Sequence, residues 1–312
     1  MAINLKEMSK KPELLAPGHR ACAGCGGGIA LRQVMRASKT PVVVSCATGC
    51  MEVVTTIYPY TAWRCSFIHN AFENSAPTMC GIEAAWKKLN RDGKVKDKYY
   101  FIAFGGDGAT FDIGMGQISG FLERGHRMLY VCYDNQAYMN TGTQRSSATP
   151  MGANVTTAPA GAVHKGKEQF DKNLTEICAA HEIPYVAQAS IHNFKDLMAK
   201  VQKAQEKDGP AFLNILASCN RGWRVKPEQS VEVCRLGVET CFWPLYEVDE
   251  GVYKLNYKPK EKLPIGEWAK LQGRFAQVLQ PENKHILDAI QEKVDKRWEK
   301  LLHKCEVKPE EV

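Results

Sequence analysis

The 312-residue sequence contains no uninterrupted apolar stretch near the ~18 residues that a membrane-spanning helix needs. Its longest apolar runs, Pro41 to Val44 and Leu129 to Tyr133, have the length of strands. Residues 1–12 carry Lys6, Lys10 and Lys11 but no apolar block before a small-residue cleavage site, so they do not read as a secretory signal and a cytoplasmic location is expected. There is no block of consecutive basic residues, although Lys plus Arg (41) exceeds Asp plus Glu (34). Much of that excess falls between Lys254 and Lys304, with twelve basic and seven acidic residues, and scattered in this way it suits a solvated helical face better than nucleic acid. Internal repeats and low-complexity tracts are also missing. The 44% hydrophobic and 24% charged residues are those of a folded protein with a substantial core.

Cysteine is abundant instead. Twelve thiols without the dense, even spacing of a secreted disulfide scaffold point to metal or cluster ligation for some of them, while thiols in apolar patterns, such as Cys132 and Cys178, pack as small hydrophobes.

Strand-like segments at Val42–Cys46, Tyr100–Phe104, Leu129–Tyr133, Tyr185–Gln188 and Phe212–Leu216 alternate with segments of helical spacing. The helical stretches are Ile29–Ala37, Pro77–Leu89, Phe111–Glu123, Leu174–His181 and Asn193–Lys207. This alternation predicts an α/β fold, a mostly parallel sheet flanked by helices, over residues 1–220. Residues 221–312 form a C-terminal extension packing on that domain or on partners, ending in a helix over Lys284–His303. The aperiodic stretch Thr141–Asp171 is long enough to be functional and is expected to close over a site.

Phe101–Phe104 runs into Gly105-Gly106-Asp107-Gly108-Ala109-Thr110 and then a helical pattern, which puts an acid on a glycine turn at the carboxyl end of a strand, where open α/β sheets bind ligands. Glycines let the backbone approach a diphosphate, but Asp107 would repel it unless a hard cation lay between them. Asn135, 28 residues further on at the end of the next strand, offers a second oxygen ligand. This Gly-Asp-Gly…Asn pattern resembles the thiamine diphosphate fingerprint. The resemblance implies a thiamine diphosphate-binding fold with Gly106, Asp107, Gly108, Ala109 and Asn135 around Mg2+ and the diphosphate, and the main-chain carbonyl of Ala137 as the third protein ligand.

Cys22-Ala-Gly-Cys25 lies on a glycine-rich loop before a helix, with no second Cys-x-x-Cys or His pair to complete a zinc site. Cys50, in Ala47-Thr-Gly-Cys50, and Cys219, in Ser218-Cys-Asn-Arg-Gly-Trp223, follow strands at the same carboxyl edge. Together with Pro17-Gly-His-Arg-Ala-Cys22, Tyr58-Pro-Tyr-Thr-Ala-Trp63, Phe72-Glu-Asn74, Tyr138-Met-Asn-Thr-Gly142 and Trp243-Pro-Leu-Tyr-Glu247, these segments resemble the beta subunits of 2-oxoacid:ferredoxin oxidoreductases. The resemblance implies that Cys22, Cys25, Cys50 and Cys219 ligate one [4Fe-4S] cluster and that Asn140 orients the substrate. It also implies an alpha subunit that supplies the acid activating thiamine, gamma and delta-type subunits, ferredoxin as electron acceptor, and oxidative decarboxylation of pyruvate with CoA or of oxalate. Glu52 and Asn74 are further candidates for lining the thiamine pocket, and His19 and His69 are ligand or core histidines.

Ser218-Cys219-Asn220-Arg221 departs from the Pro-Cys-Pro-Thr of pyruvate-acting relatives, and Cys65-Ser66-Phe67 from their aliphatic run. The added charge of Arg221 either compensates a more anionic substrate such as oxalate or faces solvent or a partner. The alternatives from other classes are a non-redox thiamine decarboxylase or carboligase, and a zinc-stabilised binding module.

Overall fold

The computed structural model describes residues 3–306. Its frame is an eight-stranded sheet in the order β2-β1-β3-β4-β6-β5-β7-β8. The strands are β1 (Val42–Ala47), β2 (Ser66–Asn70), β3 (Tyr100–Gly106), β4 (Leu129–Asp134), β5 (Tyr185–Ser190), β6 (Ala211–Leu216), β7 (Tyr246–Asp249) and β8 (Val252–Leu255). The first six pair in parallel, while β7 adds antiparallel to β5 and carries β8 by a hairpin. Strands β4, β5 and β6 are buried at every position, as expected of parallel strands covered on both faces, and this is why their apolar runs were legible in the sequence.

The helices are α1 (Leu5–Lys10), α2 (Gly26–Ala37), α3 (Cys50–Thr55), α4 (Ser75–Arg91), α5 (Met115–Glu123), α6 (Leu174–Ala179), α7 (Phe194–Glu206), α8 (Ser230–Glu239), α9 (Ile265–Lys270) and α10 (Lys284–Glu306). Asn173 and Asn193 cap α6 and α7 by accepting from backbone N–H groups of the first turn, which fixes where those helices begin. The helix expected over Phe111–Glu123 is in fact two pieces. A π-helical turn, Gly108–Ile113, follows Asp107, and α5 starts only after Gly114, because the wider turn brings the Gly114 N–H to the Ala109 carbonyl.

Seven elements, α1, α3, α8, α9, β2, β7 and β8, lie outside the segments read from the sequence. Edge strand β2 is half polar, α3 and α9 are one or two turns long, and β7 and β8 have four residues each. Among the described residues no helix is long and apolar enough to cross a membrane.

Candidate active site at the carboxyl edge of the sheet

Strands β1, β3, β4 and β6 all end at one edge, and the segments carrying Cys50, Asp107, Asn135 and Cys219 leave from it, while the Cys22–Cys25 loop comes from before α2. Gly106 pairs with Tyr133 and Asp134 with Leu216, so the turns after β3, β4 and β6 lie side by side. Asp107 is 1% exposed. Its Oδ2 accepts from the Ser146 hydroxyl at 2.5 Å, and burial pushes its carboxyl above the usual range against the opposing effect of that hydrogen bond.

The outer end of the Asn135 carboxamide lies 2.9 Å from Asp107 Oδ1 and 2.9 Å from the Ala137 carbonyl. With the NH2 turned inward it donates to both; with the oxygen turned inward, three oxygens meet with no proton between them. Converging oxygens of a carboxylate, a carboxamide and a backbone carbonyl are the donor set of a hard cation such as Mg2+, so these residues fit the ion that the sequence implied. Behind them the Trp223 indole N–H donates to the Asn135 carbonyl at 2.7 Å, which fixes the turn. Gly108 is obligatory here, because a Cβ would stand 2.2 Å from the Tyr138 ring, whose hydroxyl donates to the Gly108 carbonyl.

A cavity of about 90 Å3 opens over this turn. It is lined by Thr48, Gly49, Cys50, Phe72, Gly106, Asp107, Gly108, Tyr133, Asn135, Ala137, Tyr138, Met139, Asn140 and Thr141. Asn140 is exposed at its mouth, with its side chain near the Cys50 thiol. Three expected residues lie off this lining. Ala109 is one step deeper in the π-helical turn, and Asn74 is exposed at the start of α4. Glu52 points back to bond Thr56, with His69 Nε2 3.7 Å from its carboxylate. His69 reaches the site indirectly: Thr48 Oγ1 donates to the Asn70 carbonyl at 3.0 Å and accepts from His69 Nε2 at 2.9 Å. His19 only accepts from the Ala21 N–H within its own turn.

The four thiols singled out in the sequence are neighbours. Cys25 lies in the electrostatic field of Cys219 and Cys22, Cys50 in that of Cys219 and Cys25, and Cys219 in that of Cys22. Cys25 is the N-cap residue of α2, where the nearby Gly28 and Gly27 N–H groups partly offset the effect of burial on its thiol, and the Gly26 N–H ties this loop to the Ser218 carbonyl at 2.9 Å. The Gly222 N–H donates to Cys219 Sγ at 3.3 Å, and the Arg221 N–H also reaches it. N–H donors aimed at sulfur stabilise thiolates and cluster sulfurs. Burial meanwhile raises the pKa of Cys25, Cys219 and Cys50, the last to about 12, so a metal centre bound here must displace the thiol protons.

Among the described residues no three His, Cys, Asp or Glu side chains close around a single ion; a lone zinc draws sulfurs to ~2.3 Å, whereas a four-iron cluster spans a wider ring of thiols. The four thiols, with a backbone N–H donor on Cys219 Sγ, are of the kind that ligates such a cluster.

Arg221 is exposed and lies outside the cavity lining, so the compensation argument for oxalate loses its support. A second cavity, about 540 Å3, lies between α6, α10 and the sheet; Asp134 and Gln136, on either side of Asn135, line it, but Asp107, Asn135, Ala137 and the four thiols do not. Sequence reasoning missed Ser146, Tyr133 and Trp223 as supports of the site. Ser146 stands in a motif-free loop 39 residues beyond Asp107, and no local signal marks it.

The geometry agrees with the comparisons to known proteins. Residues 44–215 match the thiamine pyrophosphate enzyme family, C-terminal TPP binding domain. The pyruvate synthase subunit PorB of Thermotoga maritima is 51% identical over 97% of this chain and 96% of that protein. This chain belongs to the 2-oxoacid:ferredoxin oxidoreductase family, as a thiamine diphosphate-binding beta subunit. PorB of Pyrococcus furiosus is 45% identical and the ketoisovalerate oxidoreductase subunit VorB of Pyrococcus abyssi 41%, each over 93% of both chains. A solved 2-oxoglutarate:ferredoxin oxidoreductase from Magnetococcus marinus shares the fold, with a TM-score of 0.54 and 22% identity over 72% of this chain and 78% of that one.

Proposed function

We propose that this chain is the cofactor-bearing subunit of a pyruvate:ferredoxin oxidoreductase, which converts pyruvate and coenzyme A into acetyl-coenzyme A and CO2 and passes two electrons, one at a time, to ferredoxin. The observation that carries this reading is the gathering of Asp107, Asn135 and the four thiols at one sheet edge. A non-redox decarboxylase would need the first pair and have no use for the thiols. Pyruvate is favoured over a branched 2-oxoacid by the higher identity to PorB than to VorB chains.

When bound, thiamine diphosphate supplies a nucleophilic carbon and an electron sink, Mg2+ the link between Asp107 and the diphosphate, and a [4Fe-4S] cluster a one-electron acceptor. Asp107, Asn135 and the Ala137 carbonyl would hold the ion, and Gly106 and Gly108 let the backbone approach the diphosphate. Cys22, Cys25, Cys50 and Cys219 would hold the cluster. Asn140 lines the cavity together with Cys50, so its amide would orient the reacting carboxylate beside the electron acceptor. The 90 Å3 cavity is far below the roughly 300–1,000 Å3 of a pocket that encloses a whole cofactor, which supports a site completed by an alpha subunit. Gamma and delta-type subunits would carry electrons on to ferredoxin. A cytoplasmic setting suits a chain whose twelve cysteines are all free thiols.

The test is viologen reduction by the anaerobically purified complex. Pyruvate should give the highest kcat/KM, and a complex that prefers 3-methyl-2-oxobutanoate or oxalate contradicts the substrate assignment. Asn140→Ala should lower kcat by about 10²-fold or more with thiamine diphosphate still bound, and an unchanged kcat removes Asn140 from the reaction.

A further inference from the structure

Arg274 is an unusual residue to bury. It is 1% exposed, and among the described residues no carboxylate forms an ion pair with it. Its guanidinium lies 4.1 Å above the Trp223 ring and also faces the rings of Trp268 and Phe275. Nε and Nη2 donate to Gln272 Oε1 at 3.0 and 2.8 Å, and Nη2 donates to Gln136 Oε1 at 2.5 Å. Nη1 is buried with no partner. Neutral amides and ring faces do not repay the several kcal/mol needed to desolvate a charge, so an anionic neighbour is called for.

Arg274 lies in the electrostatic field of Cys219 first, then of Asp134, Asp107 and Cys234. It is also clamped to both halves of the site. Its N–H donates to the Trp223 carbonyl, and the Trp223 N–H donates to the carbonyl of Cys219 at 2.9 Å. Gln136, held by the guanidinium, sits at φ +66° immediately after Asn135, in a left-handed conformation that a non-glycine residue adopts only when its surroundings hold it there. One buried cation thus spans the loop of the fourth thiol and the turn of the diphosphate cation.

We propose that Arg274 is a positioning and charge-compensating residue: the fixed positive charge behind Cys219 stabilises the reduced state of the cluster bound there and so raises its reduction potential. This rests on the cluster reading above. Reduction adds one electron, and therefore one negative charge, to a thiolate-ligated cluster; a cation in a dry, low-dielectric position favours that state, and its removal disfavours it. The side chain acts through this field and through the Gln136 and Trp223 contacts, without touching substrate.

The experiment is a mediated dithionite titration of the anaerobically purified complex, with the reduced cluster followed by electron paramagnetic resonance. Arg274→Met should move the midpoint to a more negative potential, and Arg274→Lys, which keeps the charge but loses the fork, should recover most of the shift. Should Arg274→Met fail to assemble, Gln272→Glu tests the same charge: a carboxylate of equal size against Nε and Nη2 neutralises the cation and should shift the midpoint in the same direction. A midpoint unchanged in whichever of these two variants retains its cluster signal overturns the proposal. If the unmodified complex itself gives no cluster signal, the cluster reading fails instead, and the two failures are thereby distinguished.

Discussion

At the residue scale the site depends on a few side chains that permit a close approach. Gly108→Ala places a methyl carbon against the Tyr138 ring, so either the ring or the turn must move. We expect Mg2+-dependent thiamine diphosphate affinity to fall at least about tenfold, measured by calorimetry on the assembled complex; an unchanged affinity means the Tyr138 contact yields freely. Ser146→Ala leaves Asp107 Oδ2 buried without its hydroxyl donor, at a cost of about 1–3 kcal/mol read from the denaturation midpoint. A loss well under 0.5 kcal/mol would show that solvent replaces the hydroxyl. Asp107, Asn135 and the four cysteines were legible in the sequence because glycine turns and strand ends mark them. Ser146 and Arg274 were not, because each reaches the site through tertiary contacts from loops without a motif, and Trp223 stood out only as the end of the Cys219 motif, not as a support of Asn135. Glu52 was a candidate for lining the thiamine pocket, but the turn of α3 carries its carboxylate toward Thr56 and His69.

Among the secondary-structure elements, the five central parallel strands and their main crossovers could be read because burial, complete in β4, β5 and β6 and nearly so in β1 and β3, forces continuous apolar runs. The antiparallel pair β7 and β8 could not: β8 alternates between exposed and half-buried positions, and its four residues are too few for a periodic signal. The loop before α7 illustrates how an element responds to pH. His192 is held near a pKa of about 4 by burial first and by the Arg235 charge second, and its Nδ1 lies 2.9 Å from Ser190 Oγ. Because the folded pKa lies below the unfolded value near 6.5, the unfolded chain binds the extra proton between these two limits. Stability is therefore complete above about pH 6.5 and falls as the pH drops toward 4, by about 1–2 kcal/mol after allowance for partial solvent screening. His192→Asn should flatten the change in urea midpoint between pH 7 and pH 4.5, and an equally steep loss in the variant would assign it to other groups.

On the scale of the whole molecule, the fold serves as a scaffold that delivers four separate strand ends to one rim. The thiols come from the loop before α2, the start of α3 and the loop after β6, while the cation turn comes from β3 and β4, so neither constellation exists until the sheet has formed. The cavity over that rim is too small for the cofactor, and the rim is accordingly the face on which an alpha subunit would close. The central claim is that a cluster and the cation turn share this edge. It is tested most directly by iron and sulfide content together with the low-temperature spin signal of the dithionite-reduced complex carrying Cys25→Ala. The account predicts about four irons per chain in the unmodified protein, and in the variant the loss of the spin signal with thiamine diphosphate still bound. A variant that keeps its full iron and signal would remove Cys25 from the site and contradict the account.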